Sequence, residues 1–204
     1  MKINKPFKLI SLTVFGTLLL LVLISQIFAT MSTTKTEQQP FKLILKEGDF
    51  EVRHYDEVLV ATVNTSNKSY RGDANENFRK LAGFIFGNNQ KKESIGMTAP
   101  VHMEKNDSGS TMSFVMPSRY NKNDLPKPND PSVAIKTIPA GFYAIINFGG
   151  FAPESKILRK IEELKNWLKQ KNYSIKGQPK YFGFNPPYEL FGRHNEVVVE
   201  IDYK

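Results

Sequence analysis

The chain has 204 residues, 40% of them apolar, with 15 Phe, 8 Tyr and no Cys. That composition excludes a disordered chain, disulfide staples, thiolate nucleophiles and zinc clusters of the Cys type. The net charge of +8 is dispersed among acids, as in KEGDFEVR and RKIEELK, so the basic stripe of a nucleic-acid binder is missing and no nucleic-acid partner is expected.

Residues 1–32 read as a basic tip followed by an apolar segment. Leu9 to Ala29 carries no charge, and a helix of that length, rising about 1.5 Å per residue, spans a hydrocarbon core of about 30 Å. Lys2, Lys5 and Lys8 precede it, which keeps the N-terminus cytoplasmic and sends the rest of the chain across the membrane. A single-pass anchor through residues 9–29 is favoured; a secretory signal cleaved after Ile27-Phe28-Ala29 is the alternative, and either exports the domain to an extracytoplasmic space. Residues 33–40 are polar, close on Pro40 and read as a linker, leaving a domain over 41–204.

The domain opens with FKLILKEGDFEVRHY, two apolar-rich runs around Gly48-Asp49 that predict a hairpin, and VLVATV (Val58 to Val63) continues the sheet. The period then changes. Ala74, Phe78, Leu81, Ala82 and Ile85 recur at helical steps, with Asp73 placed to cap the start and Gly87 the end. SIGMTAPVHM and TMSFVMP follow as strands around KNDSGS, and SRYNKNDLPKPNDP is a surface loop.

The second half repeats the order. VAIKTIPAGFYAIINF gives two strands, Pro153 starts a helix at its first turn, and Ile157, Leu158, Ile161, Leu164, Trp167 and Leu168 line one face of that helix. YSIKGQPKYFGF and NEVVVEIDY close the sheet. The fold expected is α+β: a distorted antiparallel β-barrel from two strand-strand-helix-strand-strand repeats, with two flanking helices, a cleft between the halves and the N-terminal transmembrane helix.

Histidines carry most of the chemistry on offer. In FEVRHY, alternation places Phe50, Val52 and His54 on one face and Glu51, Arg53 and Tyr55 on the other. His54 is therefore either a satisfied histidine at the edge of the core or an axial ligand at the rim of an apolar pocket. His102 alternates opposite Met97, Ala99, Val101 and Met103 and is expected to face outward, and His194 lies in a turn-like entry to the last strand. Met97, Met103, Met112 and Met116 gather on neighbouring strands as flexible core filling or a soft pocket. No GxSxG elbow, P-loop, GxGxxG or acid pair offers a catalytic centre, so a binding protein rather than an enzyme is expected.

FEVRHY, SIGMTAPV, TMSFVMPSRY, the FGGF before the second helix and NPPYELFGRHNEVVVEI together resemble the SOUL heme-binding family over residues 41–204. The resemblance implies a distorted barrel of two pattern repeats that binds heme or a related tetrapyrrole. It further implies that His54, the histidine of the opening strand, is the iron ligand, the only metal-binding residue expected. Arg71, Arg79 and Lys80 are propionate candidates by charge and neighbourhood, and Phe78 and Met97 complete the candidate heme-binding set. The membrane segment departs from the best-known members, which are soluble and cytosolic.

Overall fold

A computed structural model describes residues 5–203, with side chains from Thr13 onward apart from Ser32 and Thr34. Helix α1 (Lys5–Lys35) contains a 19-residue apolar stretch, Thr13–Met31, long enough to cross a membrane, and its side chains are almost wholly exposed. It leads into a two-residue strand β1 (Glu37–Gln38), and the domain then runs β2 (Lys42–Glu47), β3 (Phe50–Tyr55), β4 (Val58–Thr65), α2 (Ala74–Ile85), β5 (Thr98–Ala99), β6 (Val101–Asn106) and β7 (Gly109–Val115). The second half supplies β8 (Ala134–Ile138), β9 (Gly141–Gly149), α3 (Glu154–Gln170), β10 (Ser174–Ile175), β11 (Lys180–Gly183) and β12 (His194–Asp202).

Apart from β1 and β5, which pair with each other, the strands form one curled antiparallel half-barrel in the order β2-β3-β9-β12-β11-β6-β7-β4-β8, with β10 added to β12. The two sequence halves interleave. β3 pairs with β9 from Phe50↔Ile146 to Tyr55↔Gly141, while β8 crosses back to pair with β4. Helix α3 covers β9 and β12 on the outside, burying Ile157, Ile161, Leu164, Trp167 and Leu168 against Val52, Ala144, Ile146, Val197, Val199 and Ile201. Each such aliphatic side chain stabilises the fold by about 1.5–3 kcal/mol. Helix α2 packs likewise on β4 and β7, with Leu81, Phe84 and Ile85 against Val63, Met112 and Phe114.

Three local expectations are corrected. Leu158 lies off the buried face of α3 and is exposed, because the α3 stripe is narrower than its apolar pattern. Pro153 sits one residue before α3 in extended backbone rather than in its first turn, where its fixed φ still leads into the helix. Asp73 precedes α2 but makes no capping hydrogen bond; its carboxylate is taken by Thr65 and Asn67 from the preceding strand and turn.

Because the sheet curls, its second face is enclosed rather than solvated. Tyr55, Tyr143, Ile145, Phe182 and Val198 form a third, concave core there. This overturns the outward placement of His102. The residue does alternate against Val101 and Met103, but the face it reaches is the concave interior, where it is 5% exposed and stacks on Phe182 at 3.8 Å between ring centroids.

Candidate functional site

The two faces of β3 lead to two different sites. On the outer face, Phe50, Val52 and His54 continue the α3 core toward the edge of the sheet. Across from His54 in register stands Phe142 of β9, and the two rings meet edge to face at 4.9 Å. Phe142 stacks on Tyr203 at 4.9 Å, Tyr203 lies 6.0 Å from Tyr173, and Tyr173 lies 6.0 Å from Trp167. Trp167 in turn stacks on Phe50 at 5.0 Å, nearly coplanar. The result is a row of rings running from the C-terminal end of α3 to His54.

Local sequence explains the row. Alternation puts Ile201 and then Tyr203 on the α3 side of β12, and Asn172, in the left-handed conformation at φ 59°, turns the chain out of α3 so that Tyr173 returns onto it. Trp167 is held by donating its indole N–H to Glu47 at 3.2 Å. His54 forms the open end. Its side chain is 30% exposed, and its Nδ1 lies 3.6 Å from Oδ1 of Asp56. At that distance the solvent-exposed carboxylate is a neighbour of Nδ1 rather than its hydrogen-bond acceptor, and Nε2, on the far side of the ring from it, is the candidate ligating nitrogen. Lys42 stands opposite His54 on β2.

On the concave face lies a narrow cleft, open in part to solvent, whose enclosed volume of about 20 Å³ has room for little more than a water molecule; it is lined by Gln39, Tyr55, His102, Tyr143, Lys180 and Phe182 among others. The segment read as a linker is drawn across it. β1 pairs parallel with β5, and the Gln39 amide N–H donates to the Ala99 carbonyl at 2.8 Å. Gln39 Oε1 lies 3.0 Å from His102 Nε2; an oxygen only accepts, so Nε2 carries the hydrogen and Nδ1 is left buried with no partner. Burial, reinforced by the charge of Lys180, pushes the imidazole down to about 3.

That shift has a sign in stability. A histidine whose folded pKa lies far below its unfolded value of about 6.5 resists protonation in the fold, so folding stability falls steadily as pH drops from about 6.5 toward 3. His102→Gln removes this component. The stability gap between wild type and variant, read by chemical denaturation, is therefore expected to narrow on acidification; a gap constant from pH 7 to pH 4 would contradict the burial.

Beside the cleft the concave face also buries charge. Arg53 donates from Nε to Glu51 at 2.7 Å and from Nη1 to Glu196 and to the Tyr55 hydroxyl at 3.0 Å, and its guanidinium covers the Phe41 ring at 4.0 Å. Burial alone would lower the Arg53 pKa, but the Glu196 charge, Tyr55 and the Glu51 hydrogen bond together outweigh it and the guanidinium is held above its usual range. Burial raises the Glu51 carboxyl, yet hydrogen bonds from Lys46 and Arg53 prevail and hold it below its usual range.

The predicted site residues fall into separate places. His54 is on the ring row. Arg71 lies before α2 and reaches the Ala152 carbonyl at 3.5 Å; Phe78 packs on Phe114 at 5.1 Å; Met97 borders the α2 core; Arg79 is on α2, and Lys80 there pairs with Glu76 at 2.8 Å. None of these five lines the ring row or the cleft. What the sequence reading missed is the His102–Gln39 pair and the Arg53 network. The available signal was charge on a strand whose neighbours, Tyr143 and Ile145 on β9, are apolar on that same face.

Comparison with known proteins fits this architecture. The family described as SOUL heme-binding protein matches residues 36–200. The chain belongs to the SOUL heme-binding protein family. Among curated relatives of this SOUL chain, mouse "Heme-binding protein 2" is 28% identical over 158 residues, covering 74% of this chain and 77% of that protein. Mouse "Heme-binding protein 1" is 27% identical over 173 residues, covering 79% and 90%. Among solved structures, the EcmrR C-terminal domain superposes with a TM-score of 0.55 at 11% identity, covering 80% of this chain and 99% of its own. A hydrolase from Listeria innocua reaches 0.52 at 7% identity, covering 85% and 97%. Those two likenesses establish the SOUL fold's architecture and nothing of its chemistry.

Proposed function

We propose that this SOUL protein is a membrane-anchored, non-catalytic heme-binding protein that takes up, buffers or hands over heme, with His54 as axial ligand. The observation that carries the reading is the part-exposed imidazole at the open end of the aromatic row, with Asp56 beside its Nδ1. The donor set fits the group: an imidazole for iron, flat apolar rings for the porphyrin face, and a cation on the adjoining strand, Lys42, for a propionate. Lys42 replaces Arg71, Arg79 and Lys80 in that role, since those three stand on or before α2. Heme, when bound, supplies an iron centre whose spin and potential the imidazole sets.

Family membership and relatives named for heme binding support the choice of ligand. Helix α1 supports the anchor, with Lys5 and Lys8 on its cytoplasmic side and the domain exported. A second reading is an exported module that holds another apolar small molecule against the Tyr55, Tyr143 and Phe182 walls of the concave cleft, which would have to widen to admit it.

Titrating full-length protein in detergent micelles with ferric heme is expected to give a shifted, saturable Soret band at one heme per chain. No shift beyond that of heme in empty micelles would refute heme binding and leave the cleft reading standing.

A further inference from the structure

Helix α1 is clamped to the domain inside its own apolar stretch. Gln26 stands between Ile24 and Ile27, within Thr13–Met31. Its side-chain amide donates to the Tyr188 carbonyl at 3.1 Å and accepts from the Leu190 amide at 2.7 Å. Further along the helix, the Thr33 hydroxyl donates to Glu189 at 2.7 Å, and Ala29, buried between these two contacts, is small enough for close approach. The loop Pro186–Phe191 is thus held along about 10 Å of α1, from Gln26 to Thr33.

The same loop is built rigidly and turned apolar side out. Arg193 donates to the carbonyls of Pro186 at 2.8 Å and Glu189 at 2.6 Å, and its guanidinium covers the Phe151 ring at 4.9 Å. Glu189, the one acid of the loop, is buried; burial raises its carboxyl, but hydrogen bonds from Thr33 and Asn185 prevail and keep it below its usual range. Meanwhile Tyr188 and Phe191 are each 63% exposed, Leu190 44% and Phe151 55%. A glutamine amide within an apolar span is costly in hydrocarbon unless paired, and aromatic side chains favour the membrane–water boundary.

From this we infer that the Pro186–Phe191 loop, with Phe151, is a membrane-contacting surface that rests in the headgroup region of a phospholipid bilayer on the exported side. The inference rests on the anchored reading of α1: if Thr13–Met31 crosses the bilayer, Gln26 and Thr33 bracket its exported end, and the loop bonded to both is held at that boundary. The occupant is lipid rather than a protein, because Ile27 and Phe28, both exposed apolar side chains of the same span, directly follow Gln26, the residue that holds the loop. The domain is thereby pinned against the membrane instead of swinging on a tether.

The chain lacks cysteine, so single-cysteine variants report cleanly. Full-length Phe191→Cys, Phe15→Cys and Asn123→Cys are labelled with an environment-sensitive fluorophore and reconstituted in vesicles of phosphatidylcholine and phosphatidylglycerol carrying quenchers at shallow or deep acyl positions. The expected result is quenching of the position-191 label by the shallow quencher, several-fold above the position-123 label, with the position-15 label quenched by the deep one. If position 15 is quenched but position 191 responds no more than position 123, the membrane-contact inference is overturned and the anchor stands. If position 15 is not quenched, the anchor reading fails and the inference falls with it. A position-191 label that is blue-shifted yet indifferent to lipid quenchers assigns the patch to a protein contact and also overturns it.

Discussion

Replacing Arg53 with alanine is expected to lower the stability of the folded domain by about 3–5 kcal/mol, the cost of leaving buried charge without its partner. Arg53 is 4% exposed, and the carboxylates it serves, Glu51 and Glu196, are buried with it. Glu196 already carries one oxygen, Oε2, with no hydrogen-bond partner, and its other oxygen takes both Arg53 and His194. Without the guanidinium, the Tyr55 hydroxyl and the Phe41 ring also lose their neighbour. Arg53→Lys keeps the charge but not the fork that reaches three acceptors, so its loss is expected to be smaller yet clear. Thermal unfolding of full-length protein followed by near-ultraviolet circular dichroism measures both. A loss below about 1 kcal/mol for Arg53→Ala, typical of a solvated ion pair, would show that water reaches the network.

His54→Ala is expected to leave stability nearly intact while weakening heme binding by at least the roughly 10–100-fold seen when only a residue bracing a metal ligand is lost. The imidazole is part-exposed and packs on one ring, so its removal opens little space. Residual affinity is expected from the aromatic row, where apolar contact contributes about 25 cal/mol per Å² of surface covered. Asp56→Asn keeps the ligand but removes the carboxylate beside Nδ1, so it is expected to lie between wild type and His54→Ala. Equal affinities for all three proteins, measured by heme titration, would sink the ligand assignment.

The contrast between these two residues shows what the sequence could reveal. Alternation along FEVRHY correctly separates His54 from Arg53, because side chains in a strand point to opposite faces. It does not say which face meets solvent. One face of a half-solvated antiparallel sheet is polar, and Glu51 and Arg53 satisfied that pattern, as His102 did on β6. Curling of the sheet encloses that second face, and the enclosure depends on pairings such as Arg53↔Tyr143 and His102↔Phe182, which join segments far apart in the chain.

The amphipathic helices were legible for a related reason: their contacts are local and their period is 3.6, so α2 and α3 fall where Leu81, Ile85, Ile161 and Leu168 recur. The aromatic row was not, since Phe50, Phe142 and Trp167 come from β3, β9 and α3, Tyr173 from the turn after α3 and Tyr203 from the residue that follows β12. Arg71 and Arg79 are candidates only by charge and by closeness in sequence to α2. The sheet places that helix on β4 and β7, whereas His54 lies on β3, in the other arm of the half-barrel.

The central claim is that the imidazole of His54 ligates heme iron on the ring row rather than in the concave cleft. Its most direct test is the Soret spectrum of ferric heme bound to full-length protein, recorded beside His54→Ala at saturating protein. The account predicts a histidine-ligated band in the wild type that is lost in the variant, leaving a spectrum like that of heme held by apolar contact alone. An unchanged band and an unchanged affinity would contradict it and direct attention to the cleft around Tyr55, His102 and Phe182.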